Sequence, residues 1–467
     1  MRHDTPRRRW RAVAAGRVCA ATRWRAGAAI ALVAALASGA AAQTAPAAAQ
    51  AEAPAPPGAL PPLLDEDLHT WLHGETLTGG WFGWRQRLIH AGITPILTYT
   101  TDILGNPTGG LNHKVRYFHD IFAGLDIDLD RLAGVRGAEL QISMSSRAGT
   151  SLSDEDIGNV FNVSQVCCQP HTRLVTLAWQ QSLFGDRLSL RVGRMSVGDD
   201  FASSPLYLPF VTSGIDANPG ALAINVPFTE YPDTSLGLRV RVRPRPDVKL
   251  QLGVFDGDPD GTRTGSEDFN LSFNDGVLVL AEAGYHLVWG SGHSALSGHY
   301  SIGGYYHAGR FLSFEEQLDP ASKAGLVHGN GGVYVAADQQ LVRFGAPDAG
   351  RGIVPFIALS GAPAAEINPF PFFFDAGVVV QGPLAARPDD ALLFGVVYGS
   401  FSSALRDAER AAALPLQDFE MVLEWSYVIQ VTEWLQFQPD LQYVIRPGGT
   451  GDIPDALVLG AQIEIQL

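Results

Sequence analysis

From Ser235 to Phe255 aliphatic and polar side chains take turns, and nothing else in this chain restricts its fold so tightly. Leu236, Leu238, Val240 and Val242 fill every second place, with Gly237, Arg239, Arg241 and Arg243 between them. The pattern turns through Pro244-Arg245-Pro246-Asp247 and resumes, Val248, Leu250, Leu252 and Val254 alternating with Lys249, Gln251 and Gly253. Period two puts successive side chains on opposite faces of a strand. Proline and aspartate between two such runs predict a tight hairpin. One face is aliphatic and the other carries cations, so the hairpin calls for a different solvent on each side.

The pattern recurs. In "FAGLDIDLDRLAGVRGAELQISM" Leu125, Ile127, Leu129, Leu140 and Ile142 alternate with Asp126, Asp128, Asp130, Glu139 and Gln141. In "EMVLEWSYVIQVTEWLQFQPDLQYVI" Glu420, Glu424, Ser426, Gln438, Asp440 and Gln442 share a polar face that Val422 and Val428 interrupt. Such segments from about residue 94 onward make about sixteen strands, an even number in the range of membrane-spanning barrels. Their expected starts are near residues 94, 118, 137, 173, 187, 234, 248, 276, 294, 330, 353, 372, 391, 416, 434 and 455. Links after the second, fourth, sixth, eighth and fourteenth strands are short, whereas most of the others are long, the longest running from about Ser196 to Asp233. Short turns at one end and long loops at the other are the pattern of an outer-membrane barrel, with both termini periplasmic. Phe184, Trp289 and Trp434 beside short turns are expected to form the inner aromatic girdle.

A soluble sandwich also alternates, with its polar face in water. Composition argues against it. Charged residues are 17%, against about 25% in soluble proteins, and the only lysines are Lys114, Lys249 and Lys323. A net charge of -15 argues against a nucleic-acid partner. Residues 1–42 read as a signal peptide: an Arg-rich start, the apolar stretch Ala26–Ala37 and an Ala40-Ala41-Ala42 cleavage site. Residues 43–75 read as an Ala/Pro-rich linker, residues 76–92 as a short periplasmic helix or partial plug with Trp84, Leu88 and Ala91 on one face, and residues 93–467 as the barrel. Cys167 and Cys168 fit no zinc or redox spacing. The fold expected is therefore all-β, an antiparallel outer-membrane barrel whose aliphatic face meets lipid and whose Arg239, Arg241, Arg243 and Lys249 face meets a water-filled lumen.

Several stretches resemble the carbohydrate-selective porins of Gram-negative outer membranes, the OprB type: "LTGGWFGWRQRLIHAGITPILTYTTDILGNPTGG", "LFGDRLSLRVGRMSVGDDFASSPLY", "GIDANPGAL", "LRVRVRPRPDVKLQLGVFDGDP" and "LQFQPDLQYVIRPGGTGDIPDALVLG". They cover about residues 70–467 in order. The resemblance implies a sixteen-stranded barrel that passes small sugars by diffusion, through a constriction lined by arginines and acidic side chains. The chain departs from the usual aromatic end of such barrels by finishing in Leu467.

No catalytic constellation is present, and a diffusion pore needs none. The lumen face expected here is mixed in sign, Asp126, Asp128, Glu139, Glu424 and Asp440 opposing the cations. Mixed signs suit polyhydroxyl ligands, which accept from arginine and donate to carboxylate. In the third external loop, Tyr207 and Phe210 are expected to stack on sugar rings and Glu230 to bind hydroxyls. A general or anion-selective porin is the first alternative, since arginine rings select anions. A barrel-embedded hydrolase using His293 and Ser294 is the second. Asp256, Asp258, Asp260 and Glu267 match a calcium-loop spacing, but strands flank them where an EF-hand needs helices, so Ca2+ would bind an external loop. No other cofactor is expected. The expected partners are small sugars, outer-membrane lipid and lipopolysaccharide, and the assembly machinery of that membrane.

Overall fold

The computed structural model describes residues 74–167, 170–257, 276–319, 322, 325–346 and 350–467. The expected signal peptide, nearly all of the linker, Cys168, Asp258, Asp260 and Glu267 lie outside them. Sixteen antiparallel strands form one closed barrel. They are β1 (Ile93–Thr108), β2 (Val115–Asp128), β3 (Ala138–Gly149), β4 (His171–Leu183), β5 (Leu188–Met195), β6 (Ser235–Arg245), β7 (Val248–Asp256) and β8 (Val277–Trp289). The second half is β9 (Leu296–Leu312), β10 (Leu326–Gln339), β11 (Gly352–Gly361), β12 (Phe372–Gln381), β13 (Ala391–Ser400), β14 (Phe419–Thr432), β15 (Leu435–Ile445) and β16 (Ala456–Gln466). Each strand pairs with the next, and β1 closes on β16 with Tyr99 opposite Ile465. Closure removes the exposed edges that an open sheet would present.

All sixteen starts fall within four residues of their expected positions, the largest offset being β10, expected near 330 and found at Leu326. Leu238, Val242, Leu250 and Leu252 are exposed on the outer face, as the alternation requires. Phe184 and Trp289 stand exposed at the short-turn end. Trp434 does not: it is buried, because the end of β16 closes over its turn and the Gln466 N–H donates to the Trp434 carbonyl at 2.9 Å. At the same end lies the helix α1 (Trp84–His90). It is tied to the end of the chain by Arg85 Nη2, which donates to the Leu467 carbonyl at 2.7 Å.

The interior is not the open polar channel that alternation alone suggests. Two loops from the long-loop end, L2 (150–170) and L3 (196–234), pack against the inner wall. On the wall, Phe356, Ala358, Phe373, Leu393, Val397, Val422, Val428 and Val444 point inward and are buried against Leu152, Ile157, Phe161, Tyr207, Phe210, Val211 and Ile215 of the loops. The valines that interrupt the polar face of β14 are therefore seats for loop side chains. A second cluster joins Val197, Phe201 and Phe228 of L3 to Phe255, Leu278, Leu280 and Tyr334 of the wall. Each fully buried side chain of this size contributes about 1.5–3 kcal/mol. Wall glycines give the loops room: a Cβ on Gly395 would stand 2.7 Å from Phe210 Cε1, and one on Gly399 2.6 Å from Phe161 Cζ.

Candidate functional site

The arginine ladder sits at the base of L3. Asp200, five residues beyond the end of β5, enters a ring of cations on β5 and β6. Arg191 Nη1 lies 3.1 Å from Asp200 Oδ2, Arg239 Nε 3.1 Å from Oδ1 and Arg241 Nη2 2.5 Å from Oδ1. Asp199 adds a second contact to Arg191 at 3.2 Å. Arg239 is 1% exposed and is completed by Ser189 Oγ at 2.9 Å and Gln180 Oε1 at 2.9 Å. Gln251 on β7 donates to the Asp200 carbonyl. These are charge-assisted hydrogen bonds donated by planar guanidinium groups, a kind stronger than bonds between neutral partners.

Inward carboxylates hold the loops elsewhere. Glu424 on β14 accepts the backbone N–H of Val211 and of Thr212, both at 2.8 Å. Glu420 accepts Val160, Phe161 and Gly448 N–H groups at 2.6–2.9 Å. Glu282 on β8 accepts the Ala202 N–H and the Tyr334 hydroxyl, both at 2.8 Å, and pairs with Lys249 at 2.9 Å. A loop buried inside a barrel must find partners for its backbone donors, and these carboxylates supply them.

Most residues expected to line the lumen are thus accounted for differently. Arg239, Arg241 and Lys249 do face inward, but each is paired with an acid. Arg243 is exposed at the short-turn end. Asp128 is no lining residue: its carboxylate caps the helix α2 (Leu129–Ala133), accepting from the N–H groups of Asp130 and Arg131. Glu139 accepts from Gln141 and Gln180 at 3.3 Å, and Asp126 is half-buried nearby on β2. Tyr207 and Phe210 offer no sugar-stacking face, because both are buried edge-on against Phe356 at 5.2 and 5.5 Å. Glu424 and Asp440 are buried as well, Asp440 accepting from Gln442 at 2.8 Å. Asp256 is buried at the end of β7, and the rest of the calcium pattern lies outside the described residues. The described residues include no group of three or more His, Cys, Asp or Glu arranged to hold a metal. The side chain of His293 also lies outside the described ones, and Ser294 Oγ donates to the Ser291 carbonyl at 3.0 Å.

Among the described residues, a cavity of about 220 Å³ lies inside the barrel between β1–β3 and the two loops. Its lining is Thr98, Thr100, Asp120, Phe122, Arg147, Gln165, Val166, Asp216 and Tyr231. Asp120 is saturated: it accepts from Ser145 at 2.7 Å, from the Tyr231 hydroxyl at 2.6 Å and from Arg147 Nε at 3.2 Å. Arg147 lies over the Tyr231 ring at 5.0 Å and donates to the Gln165 and Cys167 carbonyls. Cys167 is disulfide-bonded. Phe122 meets Tyr231 edge-on at 5.8 Å. Hydroxyls, an amide, a carboxylate and aromatic edges around so small a volume suit a compact polyhydroxyl ligand, below the size that fills the usual pocket of about 300–1,000 Å³.

Sequence reasoning missed Arg191, Arg147, Asp120 and Asp200. Arg191 carried a signal, since Leu188, Leu190 and Val192 alternate outward around it and it pairs with Arg239 across the strands. The Asp199-Asp200 doublet at the mouth of L3 was the other half of that signal.

The model of the carbohydrate-selective porin, OprB family matches residues 112–467. Porin B of Pseudomonas aeruginosa is 29% identical over 422 residues, which cover 83% of this chain and 90% of that one. The putative porin QuiX of Acinetobacter baylyi is 24% identical over 417 residues, 83% of this chain and 92% of that one. The high-pH structure of OprB from Pseudomonas putida superposes with a TM-score of 0.78 at 26% identity, covering 85% of this chain and 99% of that one.

Proposed function

Since the chain belongs to the OprB family of carbohydrate-selective porins, a family of passive outer-membrane channels and not of enzymes, we propose that it passes small neutral sugars through the cavity bounded by β1–β3, L2 and L3. The observation that carries this reading is the pairing of the ladder. Arg191, Arg239 and Arg241 converge on Asp200, with Asp199 also on Arg191, so two carboxylates offset two of the three charges and the guanidinium groups are engaged in holding L3 and do not form a free anion-selecting ring. An anion-selective pore would need those guanidinium groups free. Neutral polyhydroxyl solutes need only donors and acceptors placed around a narrow passage, and Thr98, Thr100, Gln165 and Arg147 supply them. An exported chain with a signal peptide, seated among outer-membrane lipid and lipopolysaccharide by the membrane's assembly machinery, is the setting this proposal implies.

Planar-bilayer recordings with glucose test it. Glucose added to the bath is expected to reduce the single-channel ion current in a saturable way. Phe122→Ala is expected to weaken that block, since it removes an aromatic edge from the cavity. A current indifferent to millimolar glucose would exclude the cavity as a sugar path.

A further inference from the structure

Among the charged groups that line the cavity, Asp216 alone has no ion pair. Asp120 and Arg147 neutralise one another at 3.2 Å. The Asp216 carboxylate takes no hydrogen bond from any described residue, and it stays partly accessible inside the barrel, where it faces the cavity. Its position is fixed. Ile215 is buried, and its carbonyl accepts from Gln165 Nε2 at 3.0 Å. Asp216 and Asn218 pair in a two-residue hairpin, and Asn218 Nδ2 donates to the Gly198 and Phe201 carbonyls at 3.1 and 2.9 Å. Behind Asp216 stands Glu230, whose Oε1 is buried with no partner among the described residues. Asp233, next along L3, is matched by Arg173. The ladder arginines cannot reach across to compensate, being committed to Asp200. The passage therefore presents a fixed, unpaired acidic group where a solute must go by.

We propose that Asp216 is a specificity residue that excludes carboxylated sugars from the cavity while admitting neutral ones. This rests on the reading of the cavity as a sugar path. Discrimination by a repulsive element is a general route to specificity, and a neutral hexose and its uronic acid differ chiefly in the charge that Asp216 would oppose. Toward a neutral sugar the same carboxylate accepts a hydroxyl, so exclusion of acids does not weaken binding of the accepted substrate.

Protonation should modulate the filter. Asp216 and Glu230 lie on L3, outside the spanning strands. Burial pushes the Asp216 carboxyl up to about 7, with Arg147 pulling it back. Burial, then Asp216, then Asp233 hold Glu230 well above the usual carboxylate range. The other charged groups around the pair are Asp120 on β2 and Arg147 on β3, which are paired together, and Asp233 on L3, which is paired with Arg173 on β4. A raised carboxyl is charged above its pKa and neutral below it, so exclusion is strong on the alkaline side and relaxes on the acid side.

The test compares block of the ion current by glucose and by glucuronate in the unmutated protein and in Asp216→Asn. At about pH 8 the unmutated channel is expected to be blocked by glucose about tenfold more readily than by glucuronate, and D216N is expected to bring the two within about twofold. Should the variant fail to fold, the unmutated channel supplies a second reading. Lowering the pH from about 8 to about 6 leaves glucuronate ionised and is expected to raise its block at least about fivefold relative to glucose. Equal block by the two sugars in the unmutated channel, or a glucuronate-to-glucose ratio that changes less than this in both D216N and the pH series, overturns the proposal. Absence of glucose block in any protein would instead overturn the sugar path on which it rests.

Discussion

Asp200→Ala is expected to release L3 from the wall, raise single-channel conductance and abolish sugar block, with the sixteen-stranded barrel still folded. The variant removes the acid shared by Arg191, Arg239 and Arg241 and leaves Arg239, 1% exposed, without any carboxylate. Breaking a buried pair by taking away one partner costs about 3–5 kcal/mol, because the remaining charge is stranded away from water. L3 can escape that penalty by moving away and letting water reach the arginines. Barrel pairing runs strand to strand and does not pass through L3, so circular dichroism should keep its β signature. Asp200→Asn separates charge from shape: it retains hydrogen-bonding atoms but not the counter-charge, and should lie between the parent and the alanine variant. Unaltered conductance and sugar block in D200A would mean that the loop is held by its apolar contacts and the Glu424 and Glu282 sockets alone.

The second large effect concerns the other side of the wall. Val240→Arg puts a charge on the face that carries Leu238 and Val242, both exposed where lipid is expected. Near the midplane this substitution costs about 2–4 kcal/mol. Val240→Ala, which keeps the face apolar, should stay well below that. Both are measured by reversible denaturant unfolding in bilayers or micelles. A V240R protein within about 0.5 kcal/mol of the parent would fit an ordinary solvent-exposed surface and not a lipid-facing one.

The barrel was legible because its signal is local. Alternation needs only adjacent residues, so the strand starts and the inward face of Arg239 and Arg241 follow from the chain itself. What lies against that face is set by residues far away in sequence, and alternation is silent about it. Val422 and Val428 look like flaws in a polar face until Val211 and Phe161 are found in the same buried cluster. Tyr207 and Phe210 suit a stacking platform and a loop core equally well by composition. The choice is made by Phe356 and Gly395 on the wall, one giving contact and the other room. The same holds for the charges. A ladder of arginines with acids elsewhere reads as a mixed lumen, yet Asp200 gathers three of the arginines at once, and Glu424, Glu420 and Glu282 are turned to backbone donors. Asp128 was within reach of sequence reasoning, since an aspartate at the end of a strand before Leu129-Asp130-Arg131 is a plain helix-capping signal. The cavity was not, because Thr98, Asp120, Arg147, Gln165, Asp216 and Tyr231 come from five separate segments.

That the lumen arginines are structural anchors and not an anion filter is tested most directly by the reversal potential of the purified channel under a tenfold gradient of potassium chloride. With Asp199 and Asp200 offsetting two of the ladder's three charges, and with Asp216 unpaired in the passage, the account predicts a potential near zero or displaced toward the potassium equilibrium value. A potential close to the chloride equilibrium value would mean that free guanidinium groups govern the passage, and would contradict it.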